Sequence, residues 1–130
     1  MKSGFLTELD THMKGDKVHV LDSPLVYVSE LLDTIIEVPA GFETDLASVP
    51  RIPIIYELWG NRAHREAVIH DYLYRYDSIP LVARPIADAV FREAMKARGV
   101  SWWIRWPMWA GVCLGGWGSY HKRSVRAELF

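Results

Sequence analysis

Apolar residues in the first third of the chain come in short bursts. Residues 17–21, 25–31 and 34–38 are rich in Val, Ile and Tyr, and Asp22-Ser23-Pro24 and Leu32-Asp33 separate them. β-Branched and aromatic runs of this length between turn formers predict strands joined by tight connections. Residues 5–9 add a candidate edge strand, and Gly15-Asp16 a turn before the next one. Past Pro53 the apolar spacing changes to threes and fours. Val68, Ile69, Tyr72, Leu73 and Tyr76 predict a helix from a cap at Asn61 to about Tyr76. Ile86, Ala87, Val90, Phe91 and Ala94 predict a second, opening at Arg84-Pro85 and stopped by Gly99, after which Ser101 caps a third. Strands first and helices afterwards predict an α+β domain: a small N-terminal antiparallel sheet over residues 5–45, with three helices packed on it.

The third helix changes the picture. The fifteen residues 106–120 carry no charge, and within residues 102–118 only Arg105 interrupts the apolar character. On a helical projection Trp102, Trp106, Trp109 and Cys113 form one stripe, Trp103, Pro107, Ala110 and Leu114 a second, and Ile104, Met108, Gly111 and Gly115 a third. A helix apolar all round belongs in a large core or a membrane. The uncharged stretch is shorter than the ~20 residues a bilayer span requires, and it holds Pro107 and four glycines, so no membrane span is expected. A domain of 130 residues covers about half of such a helix, and the uncovered tryptophans Trp102, Trp103, Trp106, Trp109 and Trp117 make a candidate interface. The other reading has Pro107 break the segment and its pieces fold back over the sheet.

Composition bounds the rest. The chain is half apolar and a quarter charged, with fifteen basic against sixteen acidic residues and a net charge of -1. It reads as one domain, residues 1–130, and no overall field draws it to nucleic acid. The single cysteine, Cys113, excludes an internal disulfide and a cysteine-rich zinc site. Residues 1–15 lack the apolar run of a secretion signal, so synthesis and retention in a cytoplasm are expected unless an assembly carries the protein out.

Two polar cassettes hold the candidate chemistry: residues 42–51, with Thr44, Asp45 and Ser48 between apolar neighbours, and His70-Asp71-Tyr72-Leu73-Tyr74-Arg75. The Val49-Pro50 and Ile52-Pro53 steps stiffen the backbone around Arg51, so the first cassette is either a rigid connector or a loop that presents a carboxylate and a hydroxyl. In the second, Ala63, Ala67, His70 and Tyr74 share one helical stripe. His70 is thereby placed inside or at a cleft, where a buried imidazole needs a partner, and Asp45 is the candidate. If catalytic, His70 acts as a base, oriented by Asp45 or Asp71, on Ser48 or a water. In a metal-assisted version His70 with Asp45, Asp71 or Asp88 holds a divalent ion. The structural alternative pairs Asp71 with Arg75, and Asp88 with Arg84 or Arg92, across single helical turns.

Val38-Pro39-Ala40-Gly41-Phe42, Thr44-Asp45-Leu46-Ala47-Ser48-Val49-Pro50, His70-Asp71-Tyr72-Leu73-Tyr74-Arg75 and Ala87-Asp88 stand in this order over residues 5–120. In them the chain resembles a family of small uncharacterised phage and prophage proteins, a domain of unknown function. The resemblance implies a phage origin and no activity. The adjacent His70-Asp71 also resembles the metal pair of HD-type phosphohydrolases, but His64 lies only six residues before His70 and an N-terminal sheet replaces their helical core. The string from His70 to Tyr74 is similar to secreted phospholipases, whose disulfide framework one cysteine cannot form. Two functions follow as expectations. One is a virion protein of the tail, made in the host cytoplasm and docked on other virion proteins or on itself through the tryptophan helix. The other is a small hydrolase acting on the host cell wall.

Overall fold

A computed structural model describes residues 2–15, 18–44 and 64–115. Asp45, Ser48, the Asn61 cap and Trp117 lie outside these residues. The chain order is β1 (Gly4–Phe5), β2 (Thr11–Lys14), β3 (Val18–Leu21), β4 (Leu25–Ser29), β5 (Thr34–Val38) and β6 (Glu43–Thr44), then α1 (His64–Leu73), α2 (Arg84–Ala97) and α3 (Trp102–Gly115). The fold is α+β, and the strands form two three-stranded antiparallel sheets, β1-β4-β5 and β2-β3-β6.

Residues 25–29 and 34–38 pair in full, from Leu25 opposite Val38 to Ser29 opposite Thr34. In β5 the alternation is clean: Ile36 and Val38 are buried, Ile35 and Glu37 exposed. That is the period of a sheet with one face on the core. Asp33 turns the chain between them with φ 50°, a left-handed conformation that aspartate tolerates. The expected edge strand at residues 5–9 is shorter, because the side chain of Thr7 intervenes: the Val26 N–H donates to Thr7 Oγ1 at 3.0 Å. Strand β2 has no counterpart in the sequence reading. Its side chains are mostly exposed, so no apolar period marks it, and backbone pairing with β3 holds it in register.

Helix α1 is enclosed, with every residue from Glu66 to His70 buried. It ends at Leu73, short of the expected Tyr76, and the Tyr74 N–H closes the last turn on the His70 and Asp71 carbonyls. Helix α2 stops where Gly99 predicts. Gly99 has φ 84°, its N–H donates to the Lys96 carbonyl, and the Val100 N–H reaches back to Met95. This pair of bonds satisfies carbonyls the helix end would leave open, in a left-handed conformation that glycine adopts without the penalty a side chain would bring. The Ser101 carbonyl then accepts the first N–H bonds of α3, from Ile104 and Arg105. Helix α3 runs unbroken through Pro107, although the ring removes the bond to the Trp103 carbonyl.

The core joins Leu21, Leu25, Tyr27, Ile36 and Val38 from the strands, and Phe42 just before β6, to Val68, Ile69, Leu73, Ala87, Val90 and Ala94 from α1 and α2. These two helices pack on the sheet. Helix α3 packs chiefly against α2 and forms an outer layer.

Candidate functional site

Buried polar residues join the helices. Glu66 and His70 stand one turn apart on α1, and since the helix is enclosed, each needs a partner. Glu66 accepts two hydrogen bonds from Arg98 Nη1, both at 3.1 Å. Burial pushes its carboxyl above the ordinary value, and the Arg98 guanidinium opposes the rise. His70 Nε2 meets Asp88 Oδ1 of α2 at 2.7 Å, and the Tyr74 hydroxyl donates to the same oxygen at 2.5 Å. Burial by itself raises the Asp88 carboxyl, but these two bonds outweigh it and hold the carboxyl below the usual range. The imidazole lies 4.2 Å from the Tyr74 ring and 5.3 Å from the Phe91 ring, centroid to centroid. Arg84 approaches Asp88 Oδ2 at 3.8 Å and donates to the Cys113 carbonyl of α3 at 2.9 Å. The cluster therefore ties α1 to α2 and α2 to α3.

The imidazole's Nε2 partner is Asp88; Asp45, the candidate from the sequence, lies outside the described residues. The geometry limits its chemistry. His70 is 1% exposed and Asp88 0%, so no substrate atom reaches the dyad from solvent in this conformation. His70 Nδ1 and Asp88 Oδ2 are buried without a hydrogen-bond partner among the described residues. The Cys113 thiol is pushed up to about 11 by burial and by the Asp88 carboxylate beside it, which disfavours the thiolate a nucleophile requires. Asp71 points elsewhere: its carboxylate accepts from Arg75 at 3.0 Å. Among the described residues no three His, Cys, Asp or Glu side chains converge as a metal site does.

The two cassettes do meet, at residues other than those expected. Arg75 donates to the Glu43 carbonyl at 3.2 Å, and its guanidinium lies 4.9 Å from the centre of the Phe42 ring. Tyr72 packs edge-on against the same ring at 5.9 Å. Phe42 and Thr44 are buried, so the start of the first cassette is clamped to the end of α1.

The sequence model of the family described as "Protein of unknown function (DUF1353)" matches residues 19–112, more than two thirds of the chain. The chain belongs to that family. No curated protein matches it, and no solved structure does. The DUF1353 segment spans β3 to α2, the His70-Asp88 dyad and most of α3.

On α3 the family segment presents two unlike faces. Ile104 and Met108, one turn apart, are 7% and 0% exposed against α2, whereas Trp102, Trp103 and Trp106 are 67%, 49% and 44% exposed. Trp106 and Trp109 stack edge-to-face at 5.4 Å, and the Arg92 guanidinium lies over both rings, 4.3 and 5.0 Å from their centres. Arg92 thus serves these rings instead of the Asp88 pair its spacing allowed. The α2 contact covers one stripe, and three indoles remain in contact with water.

Sequence reasoning missed Glu93. Its Oε1 accepts from the Tyr27 hydroxyl at 2.7 Å and from Ser29 Oγ at 2.8 Å, and its Oε2 from the Leu31 N–H at 2.7 Å. These bonds fasten α2 to the sheet, and burial together with Glu93 raises the Tyr27 hydroxyl far above its ordinary value. A buried serine and tyrosine two apart on one strand face were the only signal that an acceptor must come from another element.

Proposed function

We infer that the chain is a phage-encoded structural or accessory protein of the virion, carried in the tail, which docks on another virion protein through the tryptophan face of α3. One observation carries this reading: Trp102, Trp103 and Trp106 stay exposed on a helix whose opposite stripe is sealed. Each indole offers about 150–250 Å² of contact area, and an exposed aromatic cluster of this kind marks interaction surfaces. The phage origin rests on the motif resemblance. On this reading the His70-Asp88 cluster is a fastening that holds α3 in place and so fixes the orientation of the docking face.

The test uses particles of the phage or prophage that carries the gene. Purified virions contain the wild-type chain, and the double variant Trp102→Ser, Trp103→Ser is depleted at least tenfold, as expected for anchors worth about 2 kcal/mol or more. Melting of the purified variant stays within a few degrees of wild type, because both side chains are largely exposed. Virions without the chain, or with the variant at wild-type level, refute the reading.

The hydrolase reading keeps one observation in its favour, the Nδ1 of a carboxylate-oriented His70 imidazole, which has no partner among the described residues. The burial of that atom speaks against it.

A further inference from the structure

We propose that the groove beside Trp106 takes an extended acidic and apolar peptide segment supplied by the docking partner. The inference rests on the docking reading and names the chemistry of the partner. The groove has a volume of about 610 Å³ and lies between the start of the chain, the β4-β5 turn, α2 and the first turn of α3. That volume accommodates several side chains.

Charge selects the occupant. Lys2, Arg92, Lys96 and Arg105 line the groove against two carboxylates, Glu30 and Glu93. Four cations thus outnumber two carboxylates, and the Glu93 oxygens already accept bonds from Tyr27, Ser29 and Leu31. Lys2, Arg92 and Lys96 have no carboxylate within salt-bridge distance among the described residues. A basic recess on a protein of net charge -1 is a local feature that complements negative charge. The walls also include Leu31, 51% exposed, and Trp106. They call for apolar side chains between the carboxylates. The recess is continuous with the tryptophan face, since Trp106 belongs to both.

A single-stranded nucleic acid fits less well. Binding of that kind relies on bases stacking on open aromatic faces, and Arg92 already covers a face of Trp106 at 4.3 Å. Glu30 also opposes a chain that carries a charge at every unit, whereas an acidic peptide can place its carboxylates away from it.

The experiment is fluorescence anisotropy on the full chain with three fluorescein-labelled probes: a short peptide of alternating glutamate and leucine, its lysine-leucine counterpart, and oligothymidylate. The glutamate peptide is expected to bind, to weaken as salt is raised, and to lose at least tenfold in affinity in Lys96→Glu. Lys14→Glu, which alters net charge equally outside the groove, is expected to lose less than threefold. Absence of binding by the glutamate peptide, equal binding of the lysine peptide, preference for oligothymidylate, or equal losses in the two variants would each overturn the proposal. Virion incorporation separates the two inferences: particles that retain the chain while the peptide fails leave docking standing and the groove wrong. Peptide binding by a chain missing from particles does the reverse.

Discussion

Replacing His70 with alanine removes a side chain that is 1% exposed and one of the two donors on Asp88 Oδ1, at 2.7 Å. Two losses follow. Asp88 keeps the Tyr74 bond and the more distant Arg84, so a charge-assisted hydrogen bond of about 1.5–3 kcal/mol disappears from a buried carboxylate. A cavity opens beside the Tyr74 and Phe91 rings that flank the imidazole, and large-to-small changes in such places cost about 2–5 kcal/mol. The losses overlap, and breaking a buried pair costs about 3–5 kcal/mol in all, a large share of the ~5–15 kcal/mol that holds a domain together. Urea unfolding followed by circular dichroism measures it as a lower midpoint with an unchanged slope. His70→Gln, whose amide can still donate to Asp88, is expected to recover about half of the loss. A His70→Ala loss below about 1 kcal/mol would refute the fastening role. If the variant kept nearly its full stability and yet abolished a cell-wall hydrolysis present in wild type, the dyad would be catalytic.

Asp88→Asn tests the electrostatic half of the same cluster. The folded carboxyl sits below its ordinary 3.8, so its stabilisation is fully present above that value and is lost as pH falls through the folded pKa. The stability gap between wild type and Asp88→Asn is therefore widest at neutral pH and narrows below pH 3.8, and a gap that widens on acidification would contradict it. For Cys113, a thiol pushed up to about 11 predicts alkylation by iodoacetamide at neutral pH about a hundredfold slower than a free cysteine. The normal rate should return in urea, and prompt labelling of the folded protein would count against the assigned surroundings.

Elements marked by their own periodicity were legible in the sequence. Strands β4 and β5 alternate or run apolar because their faces meet a core, and α2 begins at Arg84-Pro85 and ends before Gly99 because proline and glycine act on the backbone locally. Strand β2 was not legible, since its mostly exposed side chains carry no period and its register comes from hydrogen bonds to β3. The division of the strands into two sheets was equally hidden, because it depends on which strands pair.

The candidate site shows the same limit. His70, Asp71 and Asp88 stood out as residue types, and a helical stripe placed His70 inside. Its partner is Asp88, eighteen positions away on α2, while Asp71 turns to Arg75 within its own helix. Glu66 with Arg98 carried no marker, and Glu93 only the Tyr27 and Ser29 pair that needs an acceptor, as each bond joins residues distant in sequence.

By itself the sequence determined the order of strands and helices, the cap that ends α2, and a third helix too apolar for so small a domain to enclose, because these depend on local backbone preference and on spacing. Only the tertiary structure decided which indoles stay wet and which carboxylate faces His70. Burial and pairing are set by the packing of α3 on α2 and of α2 on α1, which brings together groups that no local pattern connects.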